Sequence, residues 1–172
     1  VYGLMIPEMK NDLRLATFFN YDNIFGTVLN RFLVQAVINT PLTVYGSGGQ
    51  IRGYLNLIDT LQCIGLAIDN PPNAGELKIL NQYTEIFSVL ELAEKVVDAA
   101  DAIGISAEIR HQVNPRIEKE DHYYNPTNSR LLDLGLTPHL LDRERLIEMI
   151  ETILRVKDRL MSEQVQQNVQ WN

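Results

Sequence analysis

The residues able to do chemistry in this sequence are few and unevenly placed. Gly46-Ser47-Gly48-Gly49 is a dense glycine cluster. Glycines cradle a pyrophosphate when they follow a strand and open a helix, as in a Gly-x-Gly-x-x-Gly fingerprint. Here they stand between two β-prone runs, so the chain by itself is not expected to bind a dinucleotide well. Cys63 is the single cysteine, so no internal disulfide can form, and His111, His122 and His139 lack the spacing of a zinc site. Cys63 sits in an apolar helical pattern and reads as a small buried hydrophobe. His122 reads as a loop residue, Glu85 and Asp59 as caps or surface charges, and Tyr123-Tyr124 as packing.

The elements that must position these residues follow from periodicity and punctuation. Residues 1–22 read as irregular. A helix is expected from Asn23 to Asn39, capped by Asp22 or Asn23, with Phe25, Leu29, Phe32 and Ala36 on one face; Pro41 stops it. Leu42 to Tyr45 and Ile51 to Leu57 read as strands around the glycine turn. Asp59 is a candidate cap for a short helix with Leu61, Ile64 and Ile68 on its apolar face, ended by Pro71-Pro72. Glu76 to Asn81 reads as a strand. Ser88 and Glu91 form a capping-box pair opening a helix with Leu92, Val96 and Ile103, and Gly104 ends it. Ala107 to His111 reads as a strand and Asn114 to Pro126 as a polar, aromatic loop. A short helix over Thr127 to Leu134 ends at Gly135. Asp142 caps a last helix carrying Leu146, Ile150, Ile153 and Leu160. Strands and helices alternate, so the class is α/β.

Composition sets outer bounds. The 172 residues are 45% hydrophobic and 22% charged, enough for one domain with a real core. No apolar run approaches the roughly 20 residues that cross a bilayer. A net charge of −7 argues against a nucleic-acid surface. An anionic ligand must therefore be met by a local cationic pocket against an acidic background.

Pro41-Leu-Thr-Val-Tyr-Gly-Ser-Gly-Gly-Gln-Ile-Arg-Gly-Tyr54, preceded by Leu29-Asn30-Arg31-Phe32, is similar to the helix and hairpin of extended short-chain dehydrogenases/reductases that act on nucleotide sugars. Many members continue Gln-Thr-Arg-Asp-Phe. The variant here, Gln50-Ile51-Arg52-Gly53-Tyr54-Leu55, resembles the UDP-sulfoquinovose synthase branch. Tyr21-Asp22-Asn23-Ile24-Phe25-Gly26-Thr27, Asn81-Gln82-Tyr83-Thr84-Glu85, Asn114-Pro115-Arg116-Ile117-Glu118 and His122-Tyr123-Tyr124-Asn125 agree with it. Asn56-Leu57-Ile58-Asp59 departs, because the branch tends to carry more charge there.

The resemblance implies the carboxy-terminal portion of an extended short-chain dehydrogenase/reductase: a Rossmann-type fold lacking its amino-terminal dinucleotide-binding half, plus a substrate-binding domain. Residues 1–160 would form the substrate-binding domain with the last Rossmann elements, and 161–172 an exposed polar tail. The implied chemistry uses UDP-glucose, sulfite or a sulfur-donor protein, and NAD bound mainly by the missing half. The sugar is oxidised at C4, loses water across C5–C6, takes sulfur at C6, and is reduced again at C4. The Tyr-x-x-x-Lys pair that does the proton work is not expected in this chain, because none of its seven tyrosines has a lysine four residues on.

What the resemblance places here is the UDP-sugar site. Arg52 and Arg116 stand at the family's diphosphate positions, Arg31 is a third candidate, and backbone amides around Asn30 would add helix-terminal phosphate binding. Thr43, Val44 and Tyr45 would read the uracil through backbone groups. Gln50 and Tyr54 belong to the same hairpin, and Glu118 or Glu120 would accept a ribose hydroxyl. A homodimeric parent in the cytoplasm or plastid stroma is implied. Another UDP-hexose epimerase or dehydratase, and a non-catalytic nucleotide-sugar binding module, are the alternatives. Without its missing half, the chain is expected to expose apolar faces on its first three helices.

Overall fold

The computed structural model describes residues 1–4, 6, 8–9, 12–15, 19–22, 25–114 and 129–165. In chain order the elements are α1 (Val28–Val37), β1 (Leu42–Tyr45), β2 (Ile51–Tyr54), α2 (Leu57–Asp69), β3 (Glu85–Ser88), α3 (Val89–Ala102), β4 (Ile109–Gln112), α4 (Ser129–Asp133), α5 (Arg143–Leu154) and α6 (Ser162–Val165), with a 3-10 turn at Lys157–Arg159.

The helix starts are set by short polar side chains. Thr27 caps α1 by accepting the Asn30 N–H, four to five residues after the expected Asp22 or Asn23. Asp22 instead closes a turn of its own, accepting the Phe25 N–H at 2.8 Å. Phe25 therefore lies outside the helix and is 74% exposed. Asn56, not Asp59, caps α2. Ser88 and Glu91 complete the predicted capping box of α3, and Asp142 caps α5 as expected. Gly104 and Gly135 follow α3 and α4 with positive φ, the conformation that ends a helix at little cost for glycine.

The strands form two ribbons. β1 pairs with β4 in parallel, Leu42 opposite Ile109 and Tyr45 opposite Gln112. β2 pairs with β3 antiparallel, Arg52 opposite Phe87 and Tyr54 opposite Glu85. The expected strand at Glu76 to Asn81 does not form; the strand lies at Glu85–Ser88, where β2 offers its ladder. β2 ends at Tyr54 rather than Leu57, because Asn56 already opens α2.

α1, α3 and α5 pack together over β1–β4. Leu29, Phe32 and Leu33 of α1, Leu92 and Val96 of α3, and Ile150 and Ile153 of α5 are fully or almost fully buried in that core. α5 ends at Leu154, and Leu160 packs on the core from beyond the 3-10 turn. Val165 of α6 is buried in the same cluster, so the start of the expected exposed tail is packed. A second, smaller cluster holds Leu55, Cys63, Leu131 and Leu136. The expected apolar face of α2 is not covered among the described residues: Leu61, Ile64 and Ile68 are 49%, 48% and 72% exposed.

Candidate functional site

α1 brings two polar side chains onto the outward edge of β1. A parallel pair directs alternate backbone groups toward the partner strand. The Leu42 and Gly46 N–H groups face β4, bonding Glu108 and Gln112 carbonyls. Thr43 and Tyr45 therefore point their backbone groups the other way. Gln35 Oε1 accepts the Thr43 N–H at 3.2 Å, and Gln35 Nε2 donates to Thr43 Oγ1 at 3.0 Å. Arg31 donates to the Thr43 carbonyl at 3.1 Å. Gln50 Nε2 reaches the Tyr45 carbonyl at 3.4 Å. The Arg31 guanidinium lies 5.5 Å from the ring centroids of both Phe32 and Tyr45, within cation–π range.

Of the expected base-reading residues, Val44 is buried with its backbone turned to β4, and Thr43 has both outward backbone groups bonded to α1 side chains. Tyr45 remains half-buried beside Arg31. Arg31 is only 7% exposed. Its position under the strand edge, rather than on a solvated helix face, comes from the i, i+4 spacing that stacks it with Gln35. The Asn30 N–H is taken by the Thr27 hydroxyl, and the Asn30 side-chain amide donates to the Asn20 carbonyl at 2.8 Å. The Asn30 backbone N–H is not presented to a phosphate, because the Thr27 cap takes it first.

Arg52 and Tyr54 are carried by the β2–β3 ribbon. Residues directly opposite or two apart share a face, so Arg52, Tyr54 and Phe87 point the same way. Tyr54 is buried, packing on Phe87 with ring centroids 5.6 Å apart. Burial pushes its hydroxyl up to about 12, against the opposing influence of the Arg52 charge. Arg52 is exposed and turns one guanidinium nitrogen back to the Ile51 carbonyl at 2.8 Å. Lys95 of α3 lies 5.1 Å from the Phe87 ring, adding a second cation to this face. Arg116, Glu118 and Glu120 lie outside the described residues, as do His122, Tyr123 and Tyr124.

The glycine turn does not fit a dinucleotide. It joins two strands, and Gly48 is packed from within: a Cβ there would lie 2.7 Å from Val44 and 2.9 Å from Leu90, at φ +80°. The Gly48 carbonyl accepts the Leu90 N–H at 3.0 Å, and the Gln50 carbonyl accepts the Val89 N–H at 3.1 Å. The turn locks β1 to the start of α3 and offers no cradle for a pyrophosphate. No metal-capable cluster of His, Cys, Asp and Glu occurs among the described residues.

Two carboxylates, one buried and one half-buried, escaped the sequence reading. Asp59, wholly buried, is neither cap nor surface charge. It accepts from His139 Nδ1 at 2.6 Å, the His139 N–H at 2.8 Å and Gln62 Nε2 at 2.9 Å. Glu85 accepts the Tyr2 hydroxyl at 3.1 Å and the Leu141 N–H at 2.8 Å. Burial pushes the Glu85 carboxyl above its ordinary range, and burial followed by Glu85 pushes the Tyr2 hydroxyl up. Both carboxylates fasten residues 139–141 to the strands and α2. Their partners are distant in sequence, so no local pattern announces them. Cys63 is buried as expected, and burial raises its thiol.

No protein-family model matches the chain. It is 46% identical over 99% of its length to a chloroplastic UDP-sulfoquinovose synthase of Spinacia oleracea, and 43% identical over 93% to a UDP-sulfoquinovose synthase of Sulfolobus acidocaldarius. It spans 36% and 40% of those proteins, matching their carboxy-terminal part. Among solved structures, it superposes on a UDP-glucose 4-epimerase of Thermotoga maritima with a TM-score of 0.63 at 16% identity, over 79% of this chain and 42% of that one. A UDP-glucuronic acid 4-epimerase of Bacillus cereus gives 0.58 at 20% identity, over 79% and 43%. These likenesses establish the fold as the carboxy-terminal α/β portion of such enzymes.

Proposed function

Starting from a chain whose sequence matches the carboxy-terminal part of UDP-sulfoquinovose synthases, we propose that it supplies the UDP-sugar side of an NAD-dependent enzyme converting UDP-glucose and sulfite to UDP-sulfoquinovose. The observation that carries this reading is the 46% identity over 171 residues, a span that includes the hairpin holding Arg52. The geometry is consistent with it. Arg52 stands exposed on a strand opposite Phe87, whose ring Lys95 approaches, and a planar guanidinium matches phosphate oxygens in pairs. Arg31, Tyr45 and Gln50 gather at the neighbouring strand edge. In this reading Arg52 holds the diphosphate and Arg116 assists.

The hydride and proton transfers belong to the portion of the synthases that this chain does not match. NAD supplies the hydride chemistry in the parent enzyme, and its site lies there too. Sulfite as sulfur source, a homodimeric parent, and a cytoplasmic or stromal location are parts of the same proposal; the spinach relative is chloroplastic. No described helix is long and apolar enough to cross a membrane. A second reading, another UDP-hexose epimerase, draws on the likeness to UDP-glucose and UDP-glucuronic acid 4-epimerases.

Calorimetric titration with UDP tests the site. Arg52→Ala is expected to weaken binding by about 1.5–3 kcal/mol, the range of a charge-assisted hydrogen bond. Arg52→Lys should recover part of that loss, because an ammonium lacks the planar fork. Equal affinity of parent and Arg52→Ala would remove the hairpin as the diphosphate site. The chain alone, mixed with UDP-glucose, sulfite and NAD, should form no NADH and no UDP-sulfoquinovose.

A further inference from the structure

Among the described residues, the outward edge of β1 is closed by side chains rather than by a strand. Such an edge ordinarily presents unpaired N–H and C=O groups open to any extended segment. Here Gln35 meets the Thr43 N–H, Arg31 the Thr43 carbonyl, and Gln50 the Tyr45 carbonyl. Gln35 also donates to the Thr43 hydroxyl, so its one amide bonds both the backbone and the side chain of a single residue. Gln35 is almost completely buried, 2% exposed, on a helix side where Arg31 is the other buried polar residue and the rest are apolar.

A buried amide in an apolar face lowers stability unless its hydrogen bonds are made. A leucine would pack there without that constraint. What the amide supplies and leucine cannot is a fixed position for Thr43. That residue shares its outward edge with Tyr45 and holds the guanidinium that stacks on Tyr45. We infer that Gln35 is a positioning residue: it clamps Thr43 to α1, and through Thr43 it sets where Arg31 and the Tyr45 ring stand. The clamp rests on the hydrogen bonds above; its bearing on ligand binding rests on the nucleotide-sugar reading of this site.

The test combines two readouts on the 172-residue chain: amide hydrogen exchange at Thr43 and Tyr45 by NMR, and calorimetric titration with UDP. Gln35→Leu should speed exchange at Thr43 at least about tenfold relative to amides in the middle of α3, and weaken UDP binding about fivefold or more. Gln35→Glu should restore both, because a carboxylate still accepts the Thr43 N–H and the Thr43 hydroxyl can turn to donate to it. Unchanged exchange at Thr43 in Gln35→Leu overturns the clamp. Faster exchange with unchanged UDP affinity overturns its role in the site. If the parent does not bind UDP while Thr43 still loosens, the nucleotide reading fails and the clamp stands. Should Gln35→Leu fail to fold, Thr43→Val, which deletes only the hydroxyl bond, must still speed Thr43 exchange, and no change there overturns the inference.

Discussion

α1 and α2 have the same kind of sequence and opposite surroundings. Both are amphipathic and both are capped by a short polar residue. In α1 the apolar positions Leu29, Phe32, Leu33 and Ala36 disappear into the core against α3 and α5. In α2 the residues that disappear are Asp59 and Cys63, while Leu61, Ile64 and Ile68 face outward. The comparison teaches that a helical hydrophobic stripe records a need for cover without saying where the cover comes from. The expectation of exposed faces on the first three helices holds for α2 alone; α1 and α3 cover each other. α2 is fastened instead by the hydrogen bonds of Asp59 to His139 and of Gln62 to the Thr137 backbone.

The sharpest way to break this contrast is truncation on both helices. Phe32→Ala should lower stability by about 3–5 kcal/mol, as large-to-small changes in a closed core do, read by urea unfolding. Asp59→Ala should cost about 3 kcal/mol, because it removes a wholly buried acceptor and strands the donors bonded to it, the His139 N–H among them. If Asp59→Ala is neutral, polar fastening of α2 is wrong. Ile64→Lys should change stability by no more than about 0.5 kcal/mol and should lower binding of a hydrophobic dye, since it interrupts the exposed stripe.

A finer probe is Glu85. Burial holds its carboxyl above the ordinary range, so folding disfavours the ionised form. Its contribution is fully present below the ordinary glutamate range and is lost as pH rises through the raised value. Glu85→Gln escapes that loss, and its amide oxygen can accept from both Tyr2 and Leu141, as the single Glu85 oxygen does. The variant should melt slightly above the parent at pH 7, with the difference closing as the solution is acidified through the carboxylate range. A gap that widens on acidification would reverse the sign and reject the argument.

Local chemistry was legible where one segment decides the outcome. The Ser88 capping box, the Asp142 cap, the Leu42–Tyr45 strand and the glycine ends of α3 and α4 each depend on neighbours within a few residues. The misses need distant partners or rival local ones. Asp22 satisfied a turn before it could cap a helix, and Asn56 reached the α2 amides ahead of Asp59. β3 lies where β2 pairs with it, not where residues 76–81 looked extended. In the candidate site, the strand that carries Arg52 after the glycine turn was readable from the local sequence. The burial of Arg31 and the clamp by Gln35 were not, since both are set by how α1 lies on β1.

The parallel pairing of β1 with β4 has a consequence for the order of folding. Parallel neighbours require a crossover, and here β2, α2, β3 and α3 all intervene between the two strands. Contacts between segments this far apart in sequence form late, after the loop entropy has been overcome. During synthesis β1 emerges without its partner, and the apolar stripe of α1 waits longer still, until α5 has been made. The β2–β3 ribbon and the capped α3 can form in the interval. The core shared by α1, α3 and α5 therefore closes only after α5 has emerged, and until then part of the apolar stripe of α1 lacks that cover.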